Sequence, residues 1–319
     1  MQIIREIENY RSDGKPLYLA LGNFDGLHKG HQKLMQELVA TAKSGCGVAA
    51  ALIFDPHPMK VLYPQKEMKL LVTPETKAEL LAGLGLDLLI YSTFSTQIAR
   101  LSPEEFVSGI LVGRLAVKAV FVGFNYSFGF KGAGTPEMLA DFGKQYGFAT
   151  HIIPPVKHQG EVISSTCIRQ SIESGDIELA RQLLGYLPMV EGLVIEGEKR
   201  GRQIGFPTAN LGVDPDLVIP GKGVYAAWAR IEDKIIKAVV NIGSKPTFHP
   251  DFPVVVEAHL LDYNEDLYGK NLRLYFTAKL RDEHKFKSVE ALVEQIRLDR
   301  DQAALTLEDF DQHAHAFTF

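Results

Sequence analysis

Short apolar runs recur through the first half of the chain at 16–21 (PLYLAL), 47–54 (GVAAALIF), 87–94 (DLLIYSTF), 117–124 (VKAVFVGF) and 148–156 (FATHIIPPV), with helical periodicity between them. Nearly continuous, partly β-branched runs of this length read as strands buried on both faces, and the segments between them as crossover helices. The helix starts are signalled. Thr73 precedes Pro74, Thr135 precedes Pro136, and Ser102-Pro103-Glu104-Glu105 is a capping box with proline at the first helical position. The first half is therefore expected to be α/β, a doubly wound parallel sheet that binds ligands outside the carboxyl ends of its strands.

After about Gly185 the rhythm changes. VEGLVIEG, GVYAAWARIED, KIIKAVVNIG, PVVVEAHLLDY and KNLRLYFTAKL follow one another across Gly, Pro, Asp and Asn turns with no helical period between them, which predicts a small antiparallel β-barrel. From Ser288, Val289, Leu292, Val293 and Ile296 stand at helical spacing, so one amphipathic C-terminal helix is expected against that barrel. A chain of 319 residues exceeds what one core usually organises. The expected domains are 1–184 and 185–319.

Composition narrows the class. With 46% hydrophobic and 23% charged residues, no apolar stretch of membrane-spanning length and no charged-then-apolar leader, the chain reads as a soluble cytoplasmic protein with no membrane partner. Two cysteines, Cys46 and Cys167, are too few for a disulfide framework and suit a reducing compartment. A formal charge of -5 argues against nucleic acid as a partner, because phosphate-backbone binding rests on excess Lys and Arg. Local basic clusters still suit small phosphorylated ligands, and a monomer or weak homo-oligomer is expected.

The stretch GNFDGLHKGHQ (22–32) follows the first apolar run and precedes a helix whose buried stripe is Leu34, Met35, Leu38 and Val39. His28 and His31 thus fall at a helix N-terminus, where unpaired N–H groups favour an anion. Two imidazole donors would grip phosphate oxygens, and glycines at 22, 26 and 30 let a ligand approach the backbone. A metal site and a purely structural loop are the competing readings; HxxH lacks a nearby third ligand and has i, i+3 spacing.

His28-Lys29-Gly30-His31 resembles the HxGH signature of the nucleotidyltransferase superfamily, and ISSTCIR (163–169) resembles its ISSTxxR-type element. The resemblance implies phosphate and ATP contacts at Gly22, Phe24, His28, His31, Ser164, Ser165, Thr166 and Arg169. FDPHP (54–58) and GFNYSFGFKGAG (123–134) are similar to the flavin-adenylylating branch, which implies flavin contacts at Phe54, His57, Asn125 and Phe128. Many relatives carry aspartate where Asn125 stands; asparagine keeps the acceptor and adds a donor.

The second half matches independently. GEKRGRQIGFPTANL (197–211) is similar to the riboflavin kinase signature, and NIGSKPTF, VEAHLLDY, DLYGK and LRDEHKF follow in that family's order. Nearly the whole chain therefore resembles the bacterial bifunctional riboflavin kinase and FMN adenylyltransferase family, the FAD synthetases. This implies ATP contacts at Gly197, Arg200, Gly201, Arg202, Gly205, Pro207, Thr208 and Asn210. It also implies flavin contacts at Arg281 and Phe286, Mg²⁺ on Thr208 and Asn210, and Glu257 as the catalytic base for riboflavin, with His28 and His31 catalytic in adenylylation. ATP is the implied co-substrate, and FMN and FAD the products. No Walker pattern is present, so the kinase phosphates must be cradled otherwise. Two other classes stay open: a single-activity nucleotidyltransferase whose barrel only binds a partner, tested by riboflavin phosphorylation, and a non-enzymatic flavin- or RNA-binding regulator, tested by ATP turnover.

Overall fold

A computed structural model describes residues 1–197, 201, 204–244 and 254–311. Two compact units divide the chain: Met1–Met68 with Thr73–Ser164, and Lys69–Val72 with the chain from Ser165 onward.

The first unit runs β1 (Gln2–Arg5), β2 (Leu17–Leu21), α1 (Lys29–Ser44), β3 (Val48–Phe54), α2 (Pro58–Leu62), α3 (Pro74–Gly83), β4 (Leu88–Ser92), α4 (Thr96–Arg100), α5 (Pro103–Glu105), β5 (Val117–Gly123), α6 (Pro136–Tyr146), β6 (Ala149–Ile153), β7 (Lys157–His158) and β8 (Glu161–Val162). Residues 106–114 continue α5 with wider, i→i+5 winding. The main sheet is parallel, in the order β1-β4-β3-β2-β5-β6. The expected strands are present, and Gln2–Arg5, mostly exposed and too short to show a pattern, joins at one edge. From β2 the order steps outward through β3 and β4 on one side and through β5 and β6 on the other, so it reverses between β2 and β5. A crevice outside the carboxyl ends of those two strands is the favoured ligand place in such a sheet.

The caps read from sequence form. Thr73 and Thr135 accept from Thr76 N–H and Met138 N–H at 3.1 and 3.3 Å, and Ser102 and Glu105 make both hydrogen bonds of the capping box. Leu34, Met35 and Leu38 are buried along α1 as expected, whereas Val39 is half-buried.

The second unit contains α7 (Ser165–Ser174), α8 (Ile177–Leu184), β9 (Met189–Ile195), β10 (Ala209–Val213), β11 (Gly223–Ile231), β12 (Lys234–Ser244), β13 (Val254–Leu260), β14 (Asn271–Arg281) and α9 (Val289–Asp311). The six strands close into an antiparallel barrel in the order β10-β13-β12-β11-β14-β9. Five strands were expected from the sequence; the sixth, β10, is the ANLGV stretch, which the PTAN turn disguises. The units divide at Ser164/Ser165, ahead of the 184/185 change of rhythm, since Ile177 of α8 is 2% exposed within the barrel core. The C-terminal helix forms, but its buried stripe lies further along: Ala303 and Leu307 are fully buried against Trp228, Val239 and Tyr275, while Val289 is exposed.

Candidate active sites

The first site is built on the loop leaving β2. His28 is the N-cap of α1, with its Nδ1 accepting from the Gly30 N–H at 3.2 Å. A cap of this kind requires an unprotonated Nδ1, so the ring's proton sits on Nε2. His31 stacks on His28, ring centroids 3.7 Å apart and 19° between planes, and the Phe24 ring meets His31 edge-on at 5.3 Å. Phe24 is itself buried, so it props the imidazole from beneath. Gly22 is needed for this arrangement: a Cβ there would lie 3.0 Å from the Phe24 ring.

Burial keeps both imidazoles neutral. Desolvation pulls His28 down to about 4, and holds His31 well below the usual histidine range, where a proton on His28 and the Lys77 charge each work against a second proton. The His31 Nδ1 is enclosed and has no hydrogen-bond partner, a place tolerable for a lone pair and costly for an N–H. The proton of His31 therefore belongs on Nε2 as well.

The loop after β3 is tied to the same place. His57 caps α2, its Nδ1 accepting from Met59 N–H at 3.1 Å, and its Nε2 lies 3.1 Å from the Asn23 carboxamide. Phe54 ends β3 edge-on to Phe94 at 5.2 Å. Asn125 is exposed on the loop after β5. Phe128 is 6% exposed, packed against Phe106 and Tyr126, because the chain turns inward at a tight Phe128–Gly134 bridge. Phe124 and Phe130 are the exposed rings of that loop.

The ISSTCIR element spans the division between units, with Ser164 in the first, and Ser165, Thr166 and Arg169 on the first turns of α7 in the second. There the Arg169 guanidinium reaches the Thr166 hydroxyl at 3.4 Å.

The second site lies on the outer wall of the barrel. Along β13, Val256, Ala258 and Leu260 are buried in the core, while Val255, Glu257 and His259 alternate outward. Glu257 pairs in register with Asn210 of β10 on one side and Asn241 of β12 on the other, so the carboxylate stands in a cross-strand row of carboxamides. All three line a cavity of about 380 Å³ together with Thr208, Arg281 and Phe286. That volume is in the range of small-molecule sites. A second cavity of about 210 Å³, lined by Leu260, Tyr263 and Tyr268, shares Thr208 with it.

Close backbone approach shapes this wall. A Cβ on Gly197 would sit 2.1 Å from the Asn210 amide nitrogen, and one on Gly201 2.3 Å from the Phe206 carbonyl. Gly205 is exposed in the following turn. His259, which sequence reasoning missed, donates from Nδ1 to the Pro207 carbonyl at 2.8 Å and so fixes the PTAN turn. Arg281 lines the cavity with its charge already used: it grips the buried Asp299 of α9 with contacts of 2.7 to 3.1 Å and lies over the Phe286 ring. Arg200 and Arg202 lie outside the described residues.

The FAD synthetase family profile matches residues 11–167 and the riboflavin kinase profile residues 184–307. The bifunctional riboflavin kinase/FMN adenylyltransferase of Bacillus subtilis is 38% identical over 289 residues, covering 89% of this chain and 90% of that one. The Listeria monocytogenes protein of the same name is 40% identical over 282 residues (88% and 89%), and that of Escherichia coli K12 34% over 312 (97% and 98%). A solved structure described as a macrolide-efflux protein from Streptococcus pneumoniae superposes with a TM-score of 0.86 at 31% identity, covering 95% of this chain and 98% of that one. Among the described residues no helix is long and apolar enough to cross a membrane. With two family profiles in tandem and relatives matched over nearly their full length, the chain belongs to the bifunctional riboflavin kinase/FMN adenylyltransferase family.

Proposed function

We propose that the two reactions of this enzyme are carried by separate residue sets: His28 and His31 with the loops after β2, β3 and β5 for adenylylation, and Glu257 with Thr208 and Asn210 for phosphorylation. The chain transfers phosphate from ATP to riboflavin, giving FMN, and adenylylates FMN with a second ATP, giving FAD and pyrophosphate. One observation carries the assignment of the kinase base: Glu257 is the one carboxylate of β13, on its outward face and lining a ligand-sized cavity.

In phosphorylation the riboflavin 5′-hydroxyl loses its proton to Glu257 as its oxygen attacks the γ-phosphorus and ADP departs. The two cavities sharing Thr208 support a flavin in the larger and the nucleotide's base against Tyr263 and Tyr268 in the smaller. The Thr208 hydroxyl and the Asn210 amide oxygen are hard donors that fit Mg²⁺, and Asn210 is held nearly buried against Gly197. Bound there, the ion would neutralise phosphate charge. Arg281, paired to Asp299, shapes the flavin wall beside Phe286.

In adenylylation the FMN phosphate attacks the α-phosphorus of ATP, which requires positioning and neutral hydrogen-bond donors more than a nucleophilic side chain. The rings of His28 and His31 are stacked 3.7 Å apart, so two neutral imidazole donors stand side by side at the start of α1. With their protons on Nε2 the two rings offer donors, which suit phosphate oxygens and not a metal ion. Ser164, Ser165, Thr166 and Arg169 are assigned to the nucleotide's phosphates, and Phe54, His57 and Asn125 to the flavin side. Cys46 and Cys167 are in no disulfide, which supports a reducing, cytoplasmic setting.

Glu257→Gln and His31→Ala test the division. The first keeps shape and should lower riboflavin phosphorylation about a hundredfold or more, while FMN is still converted to FAD at near-normal rate. His31→Ala should give the mirror image, accumulating FMN. Normal kinase activity in Glu257→Gln would remove Glu257 from the mechanism, and loss of both activities in a folded variant would refute separate sites.

A further inference from the structure

Lys77 stands where lysine is rarely found. It lies in α3, 6% exposed, and its ammonium donates to the Asn23 main-chain carbonyl at 2.8 Å. Lysine is almost never buried this far without a compensating charge. Two carboxylates supply it: Asp25 on the loop after β2, itself 4% exposed, and Asp55 on the loop after β3. Burial draws the ammonium below the usual lysine range, and the negative charges of Asp25 and Asp55 act against that. Its charge also acts on His31, where it disfavours a proton. The groups around this ammonium are thus Asp25, Asp55, His31 and, stacked on His31, His28.

A neutral donor would be enough to hold one carbonyl. What a cation adds is a field on the rings beside it. In this fold that field works in the direction the loop needs, since a second proton on His28 would break its cap on Gly30 and one on His31 would sit at an enclosed Nδ1.

We infer that Lys77 is a positioning residue for adenylyl transfer: it pins the β2–α1 loop through the Asn23 carbonyl, so that His28 and His31 stay stacked at the helix start with their protons on Nε2. The inference rests on the reading of those imidazoles as phosphate donors. Nothing in the sequence marks Lys77; only its burial and partner distinguish it.

The test uses the full chain and three measurements: the rate of FAD formation from FMN and ATP, riboflavin phosphorylation as an internal control on folding, and NMR titration of the histidine ring carbons. Lys77→Met should lower kcat for FAD formation about a hundredfold, the scale of a misplaced catalytic group, with KM for ATP changed much less and phosphorylation unchanged. The His31 signal should titrate at higher pH than in the unmodified protein. Lys77→Arg keeps the charge, so His31 should still titrate low there. That arm decides the matter if Lys77→Met fails to fold, and an ordinary His31 titration in Lys77→Arg would overturn the inference. So would a Lys77→Met enzyme with a normal adenylylation rate, an unmoved His31 titration, or both activities lost together. His31→Ala in the same assay separates the two levels: if it is inactive while Lys77→Met is not, the assignment of Lys77 alone fails, and if it makes FAD normally, the imidazole reading falls and takes this inference with it.

Discussion

His28 does work usually left to Ser, Thr, Asp or Asn. By capping α1 with an imidazole lone pair it couples the helix start to a titratable group. The fold lowers its pKa to about 4, so the sign follows directly. Above about pH 6.5 the ring is neutral in both folded and unfolded chains, and its contribution to stability is complete. As pH falls below that value the unfolded chain takes up the proton first, so stability declines until about pH 4 is passed. Denaturant unfolding between pH 7 and 4 should show this loss. His28→Asn, which retains a cap without a titrating group, should flatten part of it, and an unchanged pH slope would mean that the cap is not where the linkage lies. The motif itself was legible, because HKGH places two imidazoles at a helix start. Its protonation state was not, since that depends on the stacking of His31, the enclosure of its Nδ1 and the charge of a lysine forty-six positions beyond it.

At the scale of elements, patterns that repeat within a few residues were readable and those set by a distant partner were not. Proline at the first helical position and the Ser102–Glu105 box act locally, and they form. Strand β10 was hidden because its pairing with β9 and β13, not its composition, makes it a strand. Nothing in GFNYSFG says which of its aromatics turns inward, and Phe128 is the one that does. The β9–β10 region offers a direct test of such long-range fit. Gly197 follows β9, and any side chain there would collide with the Asn210 amide, 2.1 Å from a built Cβ. Asn210 is on the same wall as Glu257. Gly197→Ala should therefore displace Asn210 and lower riboflavin phosphorylation tenfold or more, on the order expected when a positioned group moves by about an ångström. FAD formation from supplied FMN should be untouched. A normal kinase rate in Gly197→Ala would show that Asn210 yields without consequence and would remove it from the cradle.

For the whole molecule, the change from alternating to all-strand rhythm near Gly185 was visible, but the compact unit that carries the barrel begins at Ser165. Local periodicity cannot tell to which core a helix belongs. Here α8 places Ile177, 2% exposed, among the barrel's buried residues, and the Gly221 N–H donates to the Ile172 carbonyl of α7 at 3.1 Å. A fragment cut at 185 removes the Ile177 side chain from that core and leaves the Gly221 N–H without its acceptor. Emptying a buried isoleucine site costs about 2–5 kcal/mol in a well-packed core, a large share of the 5–15 kcal/mol that holds a domain together. Both fragments also lose Leu70, whose backbone bonds to Asp216 and Val218 at 2.7 and 2.8 Å, so that loss does not separate them. The fragment 165–319 should unfold cooperatively and phosphorylate riboflavin without the first unit, because Glu257, Thr208, Asn210 and both cavities lie within it. The fragment 185–319 should melt at clearly lower temperature and expose apolar surface. Thermal unfolding of the two, followed alongside riboflavin phosphorylation, checks this: equal melting temperatures would mean that α7 and α8 are dispensable to the barrel, and an inert but well-folded 165–319 would mean that the kinase site draws on residues before Ser165.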